Sequence, residues 1–113
     1  MRASAALLAA GLALAAAGCG GSGGSPPAAT RTIALTPQEQ RGKALFVRTC
    51  GSCHTLAEAG TSGSEGPSLD DHPWRAVTLE EVIASGPGLM PAGLLAGADA
   101  RAVSTYVQAV TRR

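Results

Sequence analysis

Two cysteines and a histidine stand close together in the segment Cys50-Gly51-Ser52-Cys53-His54. Thiols three residues apart can each add to one of the two vinyl groups of a single haem, and the next residue can place an imidazole beneath the iron. This spacing is typical of c-type haem attachment. It predicts one haem c, held covalently by Cys50 and Cys53.

Three other kinds of site could use the same cysteines, and each fits the sequence less well. A thioredoxin-like dithiol requires a βαβ setting, and the sequence has no strand pattern. A zinc site needs four ligands, and only His72 would join Cys50, Cys53 and His54, without a second paired motif. A disulfide between the two cysteines would close too small a loop to stabilise the chain by much.

A helix is expected to lead directly into the cysteines. Thr36, Pro37 and Glu39 form the pattern of a capping box with proline at the first helical position, so a helix should start here and run to about Thr49. The inner face of this helix would carry residues at helical spacing, namely Gly42, Leu45, Phe46 and Thr49.

Two more helices are predicted after the cysteines. One starts at Thr78, where Glu81 completes a second capping box, and ends at Gly86-Pro87. The other covers about Ala98 to Thr111, and its apolar face carries Val103, Tyr106, Val107 and Val110. Residues 55–77 are expected to form a loop, and loops of this length are uncommon unless something else orders them.

Composition favours a core built partly from a non-protein group. The chain has 113 residues but one Phe, one Trp and one Tyr, so large side chains can contribute little buried area. Chains of this kind often need a disulfide, a metal or another stabilising group. The formal net charge is +1, with neither a basic stripe nor an acidic run. These features exclude nucleic acid as a partner and argue against a calcium site.

The N-terminus predicts export. Met1-Arg2 gives a positive start, and a short apolar run from Ala3 ends in Ala16-Ala17-Gly18-Cys19. This resembles a bacterial lipoprotein signal, although Ala16 stands where that family usually has Leu. The resemblance implies that residues 1–18 are removed and that Cys19 carries the lipid anchor. The alternative is an ordinary cleaved secretory signal. Both types of signal predict a location outside the cytoplasm.

Residues 19–35 are expected to form a flexible linker between the lipid and the folded domain. The segment begins with Gly and Ser, contains Pro26-Pro27 and has no hydrophobic periodicity. A coil of about 17 residues reaches roughly 20–25 Å, which would let a small domain reorient above a membrane. Plain disorder without a role is the alternative interpretation.

From Thr36 to the C-terminus the sequence resembles the small monohaem class I cytochromes c. The order of several motifs along one short chain carries the resemblance: Gly42 with Leu45-Phe46, Cys50-x-x-Cys53-His54, Gly66-Pro67-x-Leu69, Met90-Pro91 and Tyr106-Val107. It implies an all-α class I cytochrome c fold over residues 36–113, with three main helices and long loops around one covalent haem. The first and last helices would cross near Gly42, Phe46 and Tyr106.

The resemblance also implies the ligands of the iron. His54 would be the proximal ligand and Met90 the sixth ligand, with His72 as the rival for that position. The Pro67 carbonyl would accept a hydrogen bond from the outer nitrogen of His54 and so orient its ring. Candidates to wall the haem are Leu69, Leu79, Val82, Ile83 and Leu89. Trp74 and Arg75 could reach the haem propionates through their N–H donors; the alternative is that Trp74 caps the core and Arg75 is solvated.

A six-coordinate iron leaves no position for a small-molecule substrate, which argues for electron transfer rather than catalysis. The leading hypothesis is a membrane-tethered one-electron carrier between redox proteins, such as a quinol-oxidising complex and a terminal oxidase. A haem subunit of a larger oxidoreductase is the second hypothesis. A gas or redox sensor with a labile Met90 is the third.

Overall fold

The computed structural model describes residues 33–112, so the predicted signal, Cys19 and most of the predicted linker lie outside the described residues. Three helices carry the fold: α1 (Pro37–Thr49), α2 (Ala76–Ser85) and α3 (Gly97–Thr111). Two short strands, β1 (Thr55–Leu56) and β2 (Thr61–Ser62), lie between α1 and α2. No helix within 33–112 has the length and apolar character needed to cross a bilayer.

The start of α1 is where the sequence predicts it. The Glu39 amide donates to the Thr36 hydroxyl at 3.3 Å, and the Thr36 amide donates to the Glu39 carboxylate at 2.8 Å. Both halves of the capping box are therefore formed, which satisfies amide donors that have no partner inside the helix. Gly42, Leu45 and Phe46 are buried on the inner face.

The two terminal helices cross at a glycine, as expected. Gly42 in α1 lies directly against the backbone of Ala102 in α3, and the Tyr106 side chain passes beside it. The rings of Phe46 and Tyr106 meet edge to face with centroids 6.1 Å apart, and both are fully buried. This contact fixes the angle at which α1 presents its C-terminal end and the cysteines that follow.

The predicted start of α2 is wrong. The helix begins at Ala76, two residues before Thr78, and no side chain of its own caps it. Residues of α3 take up the amides at this point instead: the Ala76 N–H, the first of the helix, donates to the Gln108 amide oxygen at 2.8 Å, and the Trp74 N–H, just before the helix, donates to the Thr111 hydroxyl at 3.1 Å. A cap supplied by a distant helix leaves no local sequence signal. The predicted end at Gly86 is confirmed, with a left-handed φ of 58°.

A small hairpin replaces part of the predicted loop. β1 and β2 pair antiparallel, with Thr55 opposite Ser62 and Leu56 opposite Thr61. Strands of two residues are too short for an alternating pattern, so the sequence gives no sign of them. Leu56 is almost completely buried and joins the core of the three helices.

Candidate functional site

A cavity of about 490 Å³ opens beside the C-terminal end of α1 and is bordered by both cysteines of the sequence motif, His54 and Met90. A second cavity of about 80 Å³ shares Cys50, His54 and Met90 with it and is lined by buried side chains of all three helices. The elements therefore bring the two thiols, the imidazole and the thioether to one apolar space. This space lies where the sequence predicts the haem.

Each predicted cofactor-binding residue borders at least one of these cavities. Those around the larger one are Cys50, Cys53, His54, Pro67, Leu89 and Met90. The smaller one adds Leu69, Leu79 and Ile83. Leu89 is 94% exposed and so forms the rim of the site, whereas Leu69, Leu79 and Ile83 are buried and form its walls.

The two cysteines are not joined by a disulfide and differ in environment: Cys50 is half-buried and Cys53 is exposed. Burial, with a smaller contribution from the neighbouring Cys53, raises the pKa of Cys50 to about 11. Reactive dithiols have a lowered thiol pKa, because the thiolate is the nucleophile. The environment of Cys50 therefore disfavours the redox-dithiol interpretation, and no group of three or more His, Cys, Asp or Glu side chains among residues 33–112 is placed to hold a metal ion.

Two neighbouring residues hold the ring of His54. Its Nδ1 atom lies 2.9 Å from the carbonyl oxygen of Pro67. Because a carbonyl only accepts, Nδ1 must carry the proton, and the lone pair of a neutral ring is then on Nε2. Gly66 lies against the ring nearest its Cε1 atom, where any side chain would collide with it.

The segment that carries Met90 is a tight turn folded back on the end of α2. Gly86 and Gly88 both have positive φ, and the Met90 amide donates to the Pro87 carbonyl at 3.2 Å. A Cβ atom on Gly86 would lie 2.5 Å from the Met90 carbonyl oxygen, so only glycine allows this approach. The Gly93 amide then donates to the Ile83 carbonyl at 2.8 Å, which closes the turn onto α2.

Of the side chains considered as a rival ligand or as propionate partners, Trp74 borders the smaller cavity, whereas His72 and Arg75 border neither. His72 is exposed, borders neither cavity and packs its ring against that of Trp74, with centroids 4.0 Å apart. The Trp74 indole N–H donates to the Leu69 carbonyl at 3.2 Å, so that donor is already used. Arg75 is exposed at the start of α2 and borders neither cavity.

Sequence reasoning missed Glu65 and Leu94 at the larger cavity. Glu65 is the one charged side chain that borders either cavity among residues 33–112, and Leu94 is 39% exposed at the rim. Glu65 directly precedes Gly66, so its position follows from the close approach of Gly66 to His54. Nothing in the local sequence around Leu94 indicates that the turn after Met90 returns to the site.

Comparison with known proteins identifies the fold and the cofactor. Residues 37–107 match the family model described as cytochrome c oxidase, cbb3-type, subunit III. The chain belongs to this cytochrome c family. Its class I cytochrome c fold is also similar to the crystal structure of the c-type cytochrome SorU from Sinorhizobium meliloti, with a TM-score of 0.60 and 33% identity. That match covers 66% of this chain and 91% of the SorU chain.

A search of curated proteins gave no significant match. The family match and the SorU match together identify a small monohaem cytochrome c with a covalently bound haem c and a role in haem-based electron transfer. The residues of the site fit that group, because an apolar cavity is bordered by two uncrosslinked thiols and an imidazole whose outer nitrogen is already engaged.

Proposed function

We propose that this cytochrome is a one-electron carrier in which Cys50 and Cys53 hold the haem and His54 and Met90 are the axial ligands. The observation that carries the proposal is the single apolar cavity bordered by both thiols, the His54 ring and the Met90 thioether. His72, the rival for the sixth position, does not border it.

The bound haem iron would supply the chemistry, by taking up and releasing one electron. His54 contributes its Nε2 lone pair, because Nδ1–H is committed to the Pro67 carbonyl. That hydrogen bond also makes the imidazole a stronger donor and limits the rotation of its ring. Proline suits this position because it has no N–H of its own and offers only the carbonyl.

Met90, which borders the same cavity, would supply a soft thioether. A thioether favours the ferrous state, so it raises the reduction potential relative to a second imidazole. The turn between Gly86 and Gly93 holds Met90 against the core, where its side chain is half-buried. With His54 and Met90 both bound to the iron, no position would be left for a substrate, and the protein would carry electrons between redox partners.

The proposal includes a tether outside the cytoplasm. A lipid on Cys19 would hold the domain at a membrane surface through the linker of residues 19–35, which supports exchange with membrane-bound redox proteins. A quinol-oxidising complex as donor and a terminal oxidase as acceptor fit this location. Leu89, Leu94 and neighbouring Pro91 at the rim of the cavity offer an apolar contact for such partners.

The family match favours a second candidate, a fixed haem subunit of a larger oxidoreductase, because the matching model is described as an oxidase subunit. The two candidates differ in association. A carrier would purify alone in mild detergent and exchange electrons at a rate that depends on its concentration. A subunit would stay in a stoichiometric complex.

The experiment that tests the ligand assignment compares Met90→Ala with His72→Ala in the haem-loaded protein. We expect Met90→Ala to keep the haem attached, to lose the weak sulfur-to-iron charge-transfer band of the oxidised form, and to lower the reduction potential. His72→Ala should leave the band and the potential unchanged. An unchanged band and potential in Met90→Ala would discard Met90 as a ligand.

A further inference from the structure

Glu58 lies outside the haem cavity, in the turn between β1 and β2, and its carboxylate joins three parts of the fold. One oxygen accepts a hydrogen bond from the hydroxyl of Tyr106 in α3. The other lies 2.9 Å from the ammonium of Lys43 in α1. The Glu58 side chain is 22% exposed and Tyr106 is fully buried, so this is a largely desolvated contact between the hairpin and both crossing helices.

The hairpin that Glu58 holds packs directly on the haem-attachment segment. A Cβ atom on Gly51 would lie 2.6 Å from the Thr61 methyl carbon, and one on Gly63 would lie 2.6 Å from the backbone of Cys53. The Thr61 hydroxyl donates to the His54 carbonyl at 2.9 Å. The hairpin therefore contacts the backbone of the attachment segment at several successive residues.

The chain after the hairpin continues to the ring of His54. The Gly66 amide donates to the Cys53 carbonyl at 2.8 Å, and the Leu69 amide donates to the Thr55 carbonyl at 2.9 Å. Between these two bonds lies Pro67, whose carbonyl accepts from His54 Nδ1. The position of the hairpin therefore determines where the Pro67 carbonyl stands relative to the imidazole.

We propose that Glu58 is a positioning residue for the proximal ligand. Glu58 holds the hairpin against Tyr106 and Lys43. The hairpin in turn keeps the backbone around His54 and the Pro67 carbonyl in place, and that carbonyl restrains the His54 ring. This proposal rests on the assignment of His54 as an axial ligand.

Loss of the Glu58 contact should change both the position of the His54 ring and the reduction potential of the haem. Loss of the contact lets the hairpin shift, which lengthens the hydrogen bond from His54 Nδ1–H to Pro67. A less basic imidazole stabilises the ferric state less, so the reduction potential should rise. A residue that only stabilises the fold would change the free energy of unfolding without changing the ligand.

The test uses the haem-loaded protein and two readouts, the reduction potential and the proton NMR resonances of the His54 ring shifted by the ferric iron. Glu58→Ala removes the contact and the charge, and Tyr106→Phe removes the donor but no charge. We expect both variants to move the His54 resonances and raise the potential. Exchange of the Leu56 and Gly66 amides should become at least about tenfold faster, as for loss of one hydrogen bond to a charged group.

Glu58→Gln separates position from charge, because glutamine can still accept from Tyr106 but carries no charge. We expect it to restore most of the wild-type resonances and potential. Asp99→Asn is the matched control, since it removes one negative charge and a 2.5 Å ion pair with Arg41 between α1 and α3, away from the hairpin. It should leave the His54 resonances in place.

Two results would overturn the proposal. Unchanged His54 resonances in Tyr106→Phe would show that the contact stabilises the fold without positioning the ligand. This variant provides the test if Glu58→Ala does not fold. Equal shifts in Glu58→Gln and Glu58→Ala would assign the effect to charge. A wild-type protein without any iron-shifted histidine resonance would instead refute the ligation by His54 itself.

Discussion

Gly66 lies so close to the ring of His54 that a Cβ atom on residue 66 would come within 2.4 Å of His54 Cε1. No real pair of atoms tolerates that distance, so the ring and a side chain at position 66 exclude each other. The absence of a side chain at Gly66 is therefore a condition for the hydrogen bond between His54 and Pro67.

Gly66→Ala should displace the imidazole. We expect a loss of about 1–3 kcal/mol in the free energy of unfolding, as for other overpacked sites, together with a higher reduction potential. Denaturant titration and redox titration of the haem-loaded protein measure the two effects. Ser64→Ala, two residues earlier and exposed, is the control and should change neither. A Gly66→Ala protein with wild-type potential would show that the ring does not need this space.

The helix crossing makes a second prediction. A Cβ atom on Gly42 would lie 2.1 Å from the Ala102 carbonyl oxygen, and a backbone atom cannot move aside as a side chain can. Gly42→Ala should therefore cost about 3 kcal/mol or more in the free energy of unfolding, measured by denaturant titration. Gln38→Ala in the exposed part of α1 should stay within about 0.5 kcal/mol of wild type. Equal stability of the two variants would contradict the crossing described for α1 and α3.

The sequence could predict those parts of the site that depend on local signals. The capping box at Thr36 and Glu39 uses residues within one turn, so the start of α1 can be predicted from the local sequence. The spacing of Cys50, Cys53 and His54 determines the attachment site in the same way. Pro67 and Met90, by contrast, were predicted with the help of a family resemblance.

The features that were missed depend on contacts between distant residues. The amide of Ala76 is capped by Gln108, which belongs to another helix, so Thr78 and Glu81 gave a false start for α2. The β1–β2 hairpin is too short to show a period. Glu58 lies between two alanines, and nothing in this stretch indicates its contact with Tyr106, because that contact exists only once α3 has packed.

Tyr106 should make the protein less stable at alkaline pH. Burial, followed by its hydrogen bond to Glu58, raises the pKa of Tyr106 well above its ordinary value of about 10. Above pH 10 the unfolded chain loses this proton while the folded chain keeps it, so stability is complete below pH 10 and falls as pH rises. The free energy of unfolding, measured from pH 8 to 11, should fall more steeply in wild type than in Tyr106→Phe. Parallel curves would contradict this prediction.

The tether is tested by the location of the protein in cells. With a lipid on Cys19, the cytochrome should sediment with membranes and be released by detergent. Cys19→Ser should appear in the soluble fraction outside the cytoplasm with its haem still attached, since Cys50 and Cys53 are intact. Soluble wild-type protein would favour an ordinary secretory signal, and membrane-bound Cys19→Ser would require another anchor.

The mass of the exported protein under denaturing conditions tests the central claim most directly. If Cys50 and Cys53 both bond to the haem, the denatured chain should carry the mass of one haem, and a Cys50→Ser/Cys53→Ser variant should carry none. A chain that folds, remains colourless and has only the mass of its amino acids would contradict the account.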